Sequence, residues 1–327
     1  MSKVYTEAEQ KLSRMFTCAR AVAIWTVIAA HITIKSSDVL AQAYAAIGTV
    51  GVALFFMMAG YFYKKDPPVI LLKKKTISVV LPWLVLGTVV WLGNTLLLSG
   101  EISVVQWLLW LIGYKTYLYY VVVLLICFVL FYFHNLVTLF VAIGTTLASL
   151  ILTAMGCLTP VIETLHITNY LNAFNWVGFF ALGMLLRRIQ AEKLYGWIRS
   201  MRWVWMALSV LTTVALVIFK VPTNYFTYYG WAYELICAFG ILSLCTWDAL
   251  YNKWTLSISR FSYAIYLMHM LFVGVLAKVY LLHPVVSALA NTLVLMVTWL
   301  VLVCGKYIAQ KIKLGTVYNY AIGLRVK

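Results

Sequence analysis

Ten times along this chain, a run of about twenty residues passes with almost no charge. A helix of that length rises roughly 30 Å, the thickness of a bilayer's hydrocarbon. The runs predict spans near 18–35, 46–63, 77–98, 117–133, 136–157, 170–187, 203–220, 231–250, 261–282 and 285–305. With 64% hydrophobic and 10% charged residues, and a mean hydropathy of +0.94, 327 residues cannot hide their apolar surface in one soluble core. The expected fold is an all-α polytopic membrane protein of about ten transmembrane helices, with residues 1–327 forming a single integral domain. No linker, low-complexity tract or heptad repeat divides it. The stretch 104–113 is apolar but too short to cross, so it is expected to lie at the interface or re-enter.

A net charge of +16 raises the question of nucleic acid, yet the basic residues sit between apolar runs and not along one polar face. They report topology instead. With a cytoplasmic N-terminus, twenty-one of the 25 Lys and Arg fall inside, and only Lys35, Lys115, Lys220 and Lys278 fall outside. Both termini are therefore expected in the cytoplasm, with anionic lipid as the partner of the basic loops and no nucleic acid. The six cysteines are scattered without a C-x-x-C pair or zinc spacing, which predicts packing residues and no metal site. Ala41-Gln42-Ala43 has the look of a signal-peptidase site. Cleavage there would discard the first apolar run, and the run is expected to be retained.

That first run holds the residues that point most directly to chemistry. Arg20 and His31 are eleven residues apart, which on an α-helix returns them to within about 20° of one face and separates them by roughly 16 Å. Ionisable groups at bilayer depth are costly, and their presence suggests function. The pair reads as an anchor for an anionic ligand with a titratable imidazole at the end of its reach. His269, in the ninth span, lies at a comparable depth and shares a face with Tyr266 one turn away. Lys73-Lys74-Lys75 opens the third span and offers a collar for phosphate, although lipid anchoring alone would account for such charges. Glu234, near the outer end of the eighth span, and His166, in an outer loop beside Glu163, are candidates for the far side of the membrane. His134 and His283 read as boundary residues. Gly48, Gly51, Ala59 and Gly60 would let the second span approach a neighbour closely.

Four elements then occur in order: Arg-x10-His in the first span; Gly-x2-Gly-Val…Phe-Phe…Gly-Tyr in the second; the basic run leading to Pro82; and Ser-Tyr-x-Ile-Tyr-Leu-x-His ending at His269. Together they resemble the acyltransferase-3 family of bacterial integral membrane acyltransferases, across essentially the whole chain. The resemblance implies transfer of an acyl group, often acetyl, from cytoplasmic acyl-CoA to a hydroxyl on a cell-surface glycan or lipid-linked sugar. It also implies a bacterial cytoplasmic membrane, His31 as the catalytic histidine with Arg20 as its partner, and Lys74 and Lys75 at the donor. His269 matches the late-motif histidine. Thr17 stands where the family usually has Asp or Asn, Ala59 replaces a common Ser, and Thr116-Tyr117-Leu118-Tyr119-Tyr120 replaces a His-Leu-Trp-Phe-like element.

The chemistry of the residues suits this reading. Arg20, Lys74 and Lys75 would hold the donor's phosphates. His31 would act as general base, or alternatively as a nucleophile forming an acyl-histidine. Acyl-CoA is then a substrate, and no permanently bound cofactor is expected. The main alternative is a proton-coupled transporter or glycan exporter with His31 and His269 as relays, for which paired Gly/Pro breaks in two halves would be the sign.

Overall fold

The computed structural model describes residues 6–34, 37–97, 100–281 and 284–324. His283 lies outside the described residues. In chain order the helices are α1 (Glu7–Ala29), α2 (Asp38–Tyr61), α3 (Pro68–Lys75), α4 (Leu81–Leu97), α5 (Val104–Leu111), α6 (Tyr119–Leu130), α7 (Leu136–Ala154) and α8 (Thr159–Thr164). They continue as α9 (Val177–Arg188), α10 (Ala191–Ser200), α11 (Arg202–Ile218), α12 (Gly230–Leu244), α13 (Lys253–Tyr280), α14 (Pro284–Ala288), α15 (Ala290–Lys311) and α16 (Gly315–Ala321). Among the described residues there is no strand.

Each of the ten apolar runs carries a helix. Six helical stretches are long and apolar enough to cross a bilayer, or seven if α10 and α11, bent by 55°, form one broken span. The shortfall falls on α6, α9, α11 and α12, each under the roughly twenty residues a full crossing takes. Their apolar runs are shared between helix and turn. The 117–133 run, for example, opens in the turn at Tyr117 and Leu118 and closes in a 3-10 turn at Phe131–Phe133.

The first helix starts well before its apolar run. Thr6 accepts from the Glu9 amide while the Glu9 side chain accepts from the Thr6 amide, a capping box that satisfies two of the exposed N–H groups. From there α1 is enclosed by α2, α13 and α15, and α2 is enclosed in turn by α9, α11 and α12. Such packing rests on small residues, because lipid gives no hydrophobic drive between helices. Gly51 faces Thr26 and the Ala23 carbonyl of α1. Gly60 of α2 and Gly183 of α9 are reciprocal: a Cβ on the first would enter the Phe180 carbonyl, and one on the second the Met57 carbonyl. Arg187, at the end of α9, donates to the Tyr61 and Tyr63 carbonyls and so closes the end of α2.

Pro82 shapes the entry to α4. It lacks an N–H, and its ring crowds the carbonyl four residues back. The chain accommodates it with a π turn at Thr76–Val80, in which the Leu81 amide reaches the Thr76 carbonyl. The short apolar stretch 104–113 forms α5, which packs against α4. Trp83 Nε1 donates to the Leu111 carbonyl, Trp107 Nε1 to Thr88 Oγ1 and Trp110 Nε1 to the Gly87 carbonyl, which ties α5 to the side of α4.

Candidate active site

Two cavities meet at one tyrosine. The smaller, about 190 Å³, is lined by Arg20 of α1, by Phe55, Met58, Ala59 and Phe62 around the end of α2, by Tyr120 of α6, and by Ser262, Tyr263 and Tyr266 of α13. The larger, about 1210 Å³, has His31, Tyr117 and Tyr266 in its wall and runs to the loops at 115–117, 168–170 and 221–229. Along α2 they are displaced, with Val52 in the larger and Phe55 to Phe62 around the smaller. Tyr266 belongs to both. Its hydroxyl donates to the Tyr117 carbonyl, and the Tyr117 hydroxyl donates back to the Leu267 carbonyl at 2.5 Å. This reciprocal bond fixes α13 to the turn ahead of α6.

The histidines come together across that turn. The rings of His31 and His269 are 5.1 Å apart, centre to centre, and Tyr117 lies edge-on to both, at 6.1 Å and 5.1 Å. The helical expectation for His31 needs a correction: α1 ends at Ala29, and His31 follows in a turn, its amide bonded to the Ile28 carbonyl. Arg20 and His31 still both face α13, because Arg20 shares a cavity with Ser262 and Tyr266 while His31 meets His269. They line separate cavities and not one continuous site. His269 is fully buried at 0% exposure, and its Nδ1 is 2.6 Å from the Tyr266 carbonyl. A carbonyl only accepts, so Nδ1 carries the proton and Nε2 is left as a lone pair with no partner.

Arg20 stands 5.8 Å over the Phe62 ring at the mouth of the smaller cavity. Lys74 is paired with Asp66 at 2.8 Å, and the Lys75 ammonium sits 3.7 Å over the Phe128 ring. Neither lysine lines the smaller cavity with Arg20. Glu234 is almost wholly enclosed at 1% exposure, with its Oε1 unpartnered, and it is close enough to Tyr119 and Tyr225 to interact with both electrostatically. Those tyrosines form part of the larger cavity's wall. His166 is exposed, with a φ of 50°, and does not line that cavity. His134 accepts no place in either cavity; its Nδ1 is 2.7 Å from the Phe131 carbonyl.

Residues that the sequence reading passed over complete the larger cavity. Tyr170 and Phe226 pack edge to face at 4.9 Å, Tyr119 lies tilted by 46° against Tyr170 at 4.9 Å, and Tyr225 donates to the Gly48 carbonyl. Asn169, Asn224 and Lys115 add polar groups to the same wall. The available signal was the aromatic segment Asn224-Tyr225-Phe226-Thr227-Tyr228-Tyr229, unusual between two apolar spans. Among the described residues, no group of three His, Cys, Asp or Glu gathers in metal-binding geometry.

Comparison with known proteins returns no match among curated proteins and none among solved structures. A family model described as an acyltransferase domain matches residues 16–307, a stretch that contains Arg20, both clustered histidines, Tyr117 and Tyr266. The chain therefore belongs to the acyltransferase-3 family of membrane acyltransferases.

Proposed function

We propose that this protein is an O-acyltransferase of the bacterial cytoplasmic membrane, with both termini inside. It moves an acyl group, by family habit acetyl, from cytoplasmic acyl-CoA to a hydroxyl of a cell-surface glycan or lipid-linked sugar. The observation that carries the reading is the meeting of two cavities at Tyr266, one bearing a guanidinium and the other an imidazole. Arg20 lies in the cytoplasmic half of the first span in this orientation, and Lys74 and Lys75 open the third span on the same side. Such cations suit the phosphates of CoA, and the flexible arm of the donor carries its thioester inward towards the tyrosine.

The larger cavity suits the acceptor. Aromatic faces such as Tyr170, Tyr225 and Phe226 offer apolar platforms for the C–H faces of a sugar ring, while Asn169, Asn224 and Lys115 offer hydrogen bonds to its hydroxyls. Glu234 and the exposed His166 belong to this acceptor side in the reading, Glu234 from behind the wall. In the transfer step, His31 takes the proton from the acceptor hydroxyl as its oxygen attacks the thioester carbonyl. The carbon–sulfur bond breaks, and the imidazolium returns the proton to the CoA sulfur. The product is the O-acyl ester and free CoA.

The test is CoA release from radiolabelled acetyl-CoA by purified protein, with label followed on protein and on added envelope glycan. Wild type is expected to turn over, while His31→Ala falls by about 10²–10⁴-fold, the usual contribution of a general base, with its fold intact. Arg20→Ala is expected to raise the donor KM. Label retained on wild-type protein and absent from His31→Ala would replace the base with an acyl-histidine. No turnover with acetyl-CoA or longer acyl donors would overturn the enzymatic reading and leave transport in its place.

A further inference from the structure

We propose that His269 is a positioning residue: its Nε2 accepts the N–H of the His31 imidazole and thereby turns the other His31 nitrogen, bare, towards the larger cavity. The inference rests on His31 acting as the base. Three observations carry it. His269 is locked from behind, because its Nδ1–H is committed to the Tyr266 carbonyl at 2.6 Å. Its remaining nitrogen is a buried acceptor without a donor, which folded proteins rarely leave unmet. The third is distance. Two imidazoles joined by a linear N–H···N bond of about 2.9 Å have ring centres roughly 5.2 Å apart, and the two rings here are 5.1 Å apart, tilted by 49°.

The spacing of the ring centres is thus already that of a bonded pair, and rotation of the His31 side chain about its own bonds is the movement that would complete it. Tyr117 limits that rotation from the side, with its ring edge-on to both imidazoles and its hydroxyl already committed to Leu267. Once His31 donates one N–H to His269, its second nitrogen is fixed as the lone pair, since a neutral imidazole carries only one proton. When that lone pair takes the acceptor's proton, the resulting imidazolium keeps its N–H towards Nε2. The bond becomes charge-assisted and stronger at the moment charge develops. No proton leaves His269. It does for His31 what a carboxylate does behind the histidine of a hydrolytic triad.

The experiment compares His269→Gln with His269→Phe, both of which fill the site; only glutamine keeps an acceptor where Nε2 stands. Steady-state kcat and KM for acetyl-CoA are measured for each, alone and in the His31→Ala background. We expect His269→Phe to lose about 10–100-fold in kcat, as removal of an orienting partner typically does, with donor KM held within about threefold. His269→Gln should recover most of that loss. In the His31→Ala background neither change should matter further, because both act through the missing imidazole. Equal losses in Gln and Phe, a loss confined to KM, or an additional loss on top of His31→Ala would each overturn the proposal. Retention of full kcat by His31→Ala itself would instead overturn the base on which it rests.

Discussion

Lys74 is held by a carboxylate before any ligand arrives. Its ammonium, hydrogen-bonded to Asp66 at 2.8 Å, holds that carboxyl below the usual carboxylate range, with Lys64 and Lys75 adding to the effect. A depressed carboxyl keeps its pairing at and above its ordinary titration range, and loses it only as pH falls through the lowered value. Between about pH 6 and 8 the bridge is therefore constant. If Lys74 serves the donor phosphates, Asp66 competes with them. Asp66→Asn should then lower the KM for acetyl-CoA by about two- to fivefold, the scale of an exposed ion pair, and leave kcat unchanged. Steady-state kinetics at two salt concentrations would check this, since the difference should shrink as salt screens both interactions. The same scale explains what sequence could reveal of the site. Arg20, His31 and His269 stand out because ionisable groups are rare in apolar runs. Tyr117 does not, because a tyrosine at the start of an apolar run is ordinary, and its place beside the two imidazoles depends on a turn that periodicity does not describe.

At the scale of helices, the reciprocal approach of α2 and α9 sets how tightly the site is framed. Neither glycine at the crossing leaves room for a side chain against the opposing carbonyl. Gly183→Val should therefore separate the helices and destabilise the fold by upward of about 2 kcal/mol, the cost of forcing bulk into a packed contact. Thermal unfolding in detergent, followed by intrinsic tryptophan fluorescence, would read it as a lowered Tm. Gly144→Val, where a Cβ meets nothing within 4 Å, is the control expected to unfold as wild type does. Sequence made the helices legible, because hydrophobic length is a strong signal. Six or seven of the expected spans are helices long enough to cross outright, and the others are shorter. The 170–187 run is uncharged up to Arg187, yet its first residues form a turn braced by Asn172, Asn175 and Ser149, and α9 begins only at Val177. Hydropathy measures what lipid tolerates, and a buried turn with satisfied amides passes that test as well as a helix does. Nor could sequence distinguish one site from two cavities. An eleven-residue spacing fixes a shared face, and it leaves open whether a side chain from another helix stands between.

At the scale of the molecule, Tyr266 is what stands between. It is the wall residue common to the arginine-bearing and histidine-bearing cavities, and its hydroxyl is bonded to the backbone at Tyr117. Transfer in this reading needs only the small acyl carbonyl to pass that ring, while the coenzyme and the acceptor stay on their own sides. Removing the ring should uncouple the reaction. Tyr266→Ala is expected to raise acceptor-independent CoA release relative to acyl transfer, because water reaches the thioester from the larger cavity. The ratio of free acetate to acylated product measures it. The tyrosine has a second consequence, which concerns the membrane and not the reaction. In the orientation proposed above, the two hollows would open towards opposite faces of the bilayer, and an unobstructed junction between them would leak ions. The ring they share, pinned to a neighbouring turn, would then be the seal as well as the partition.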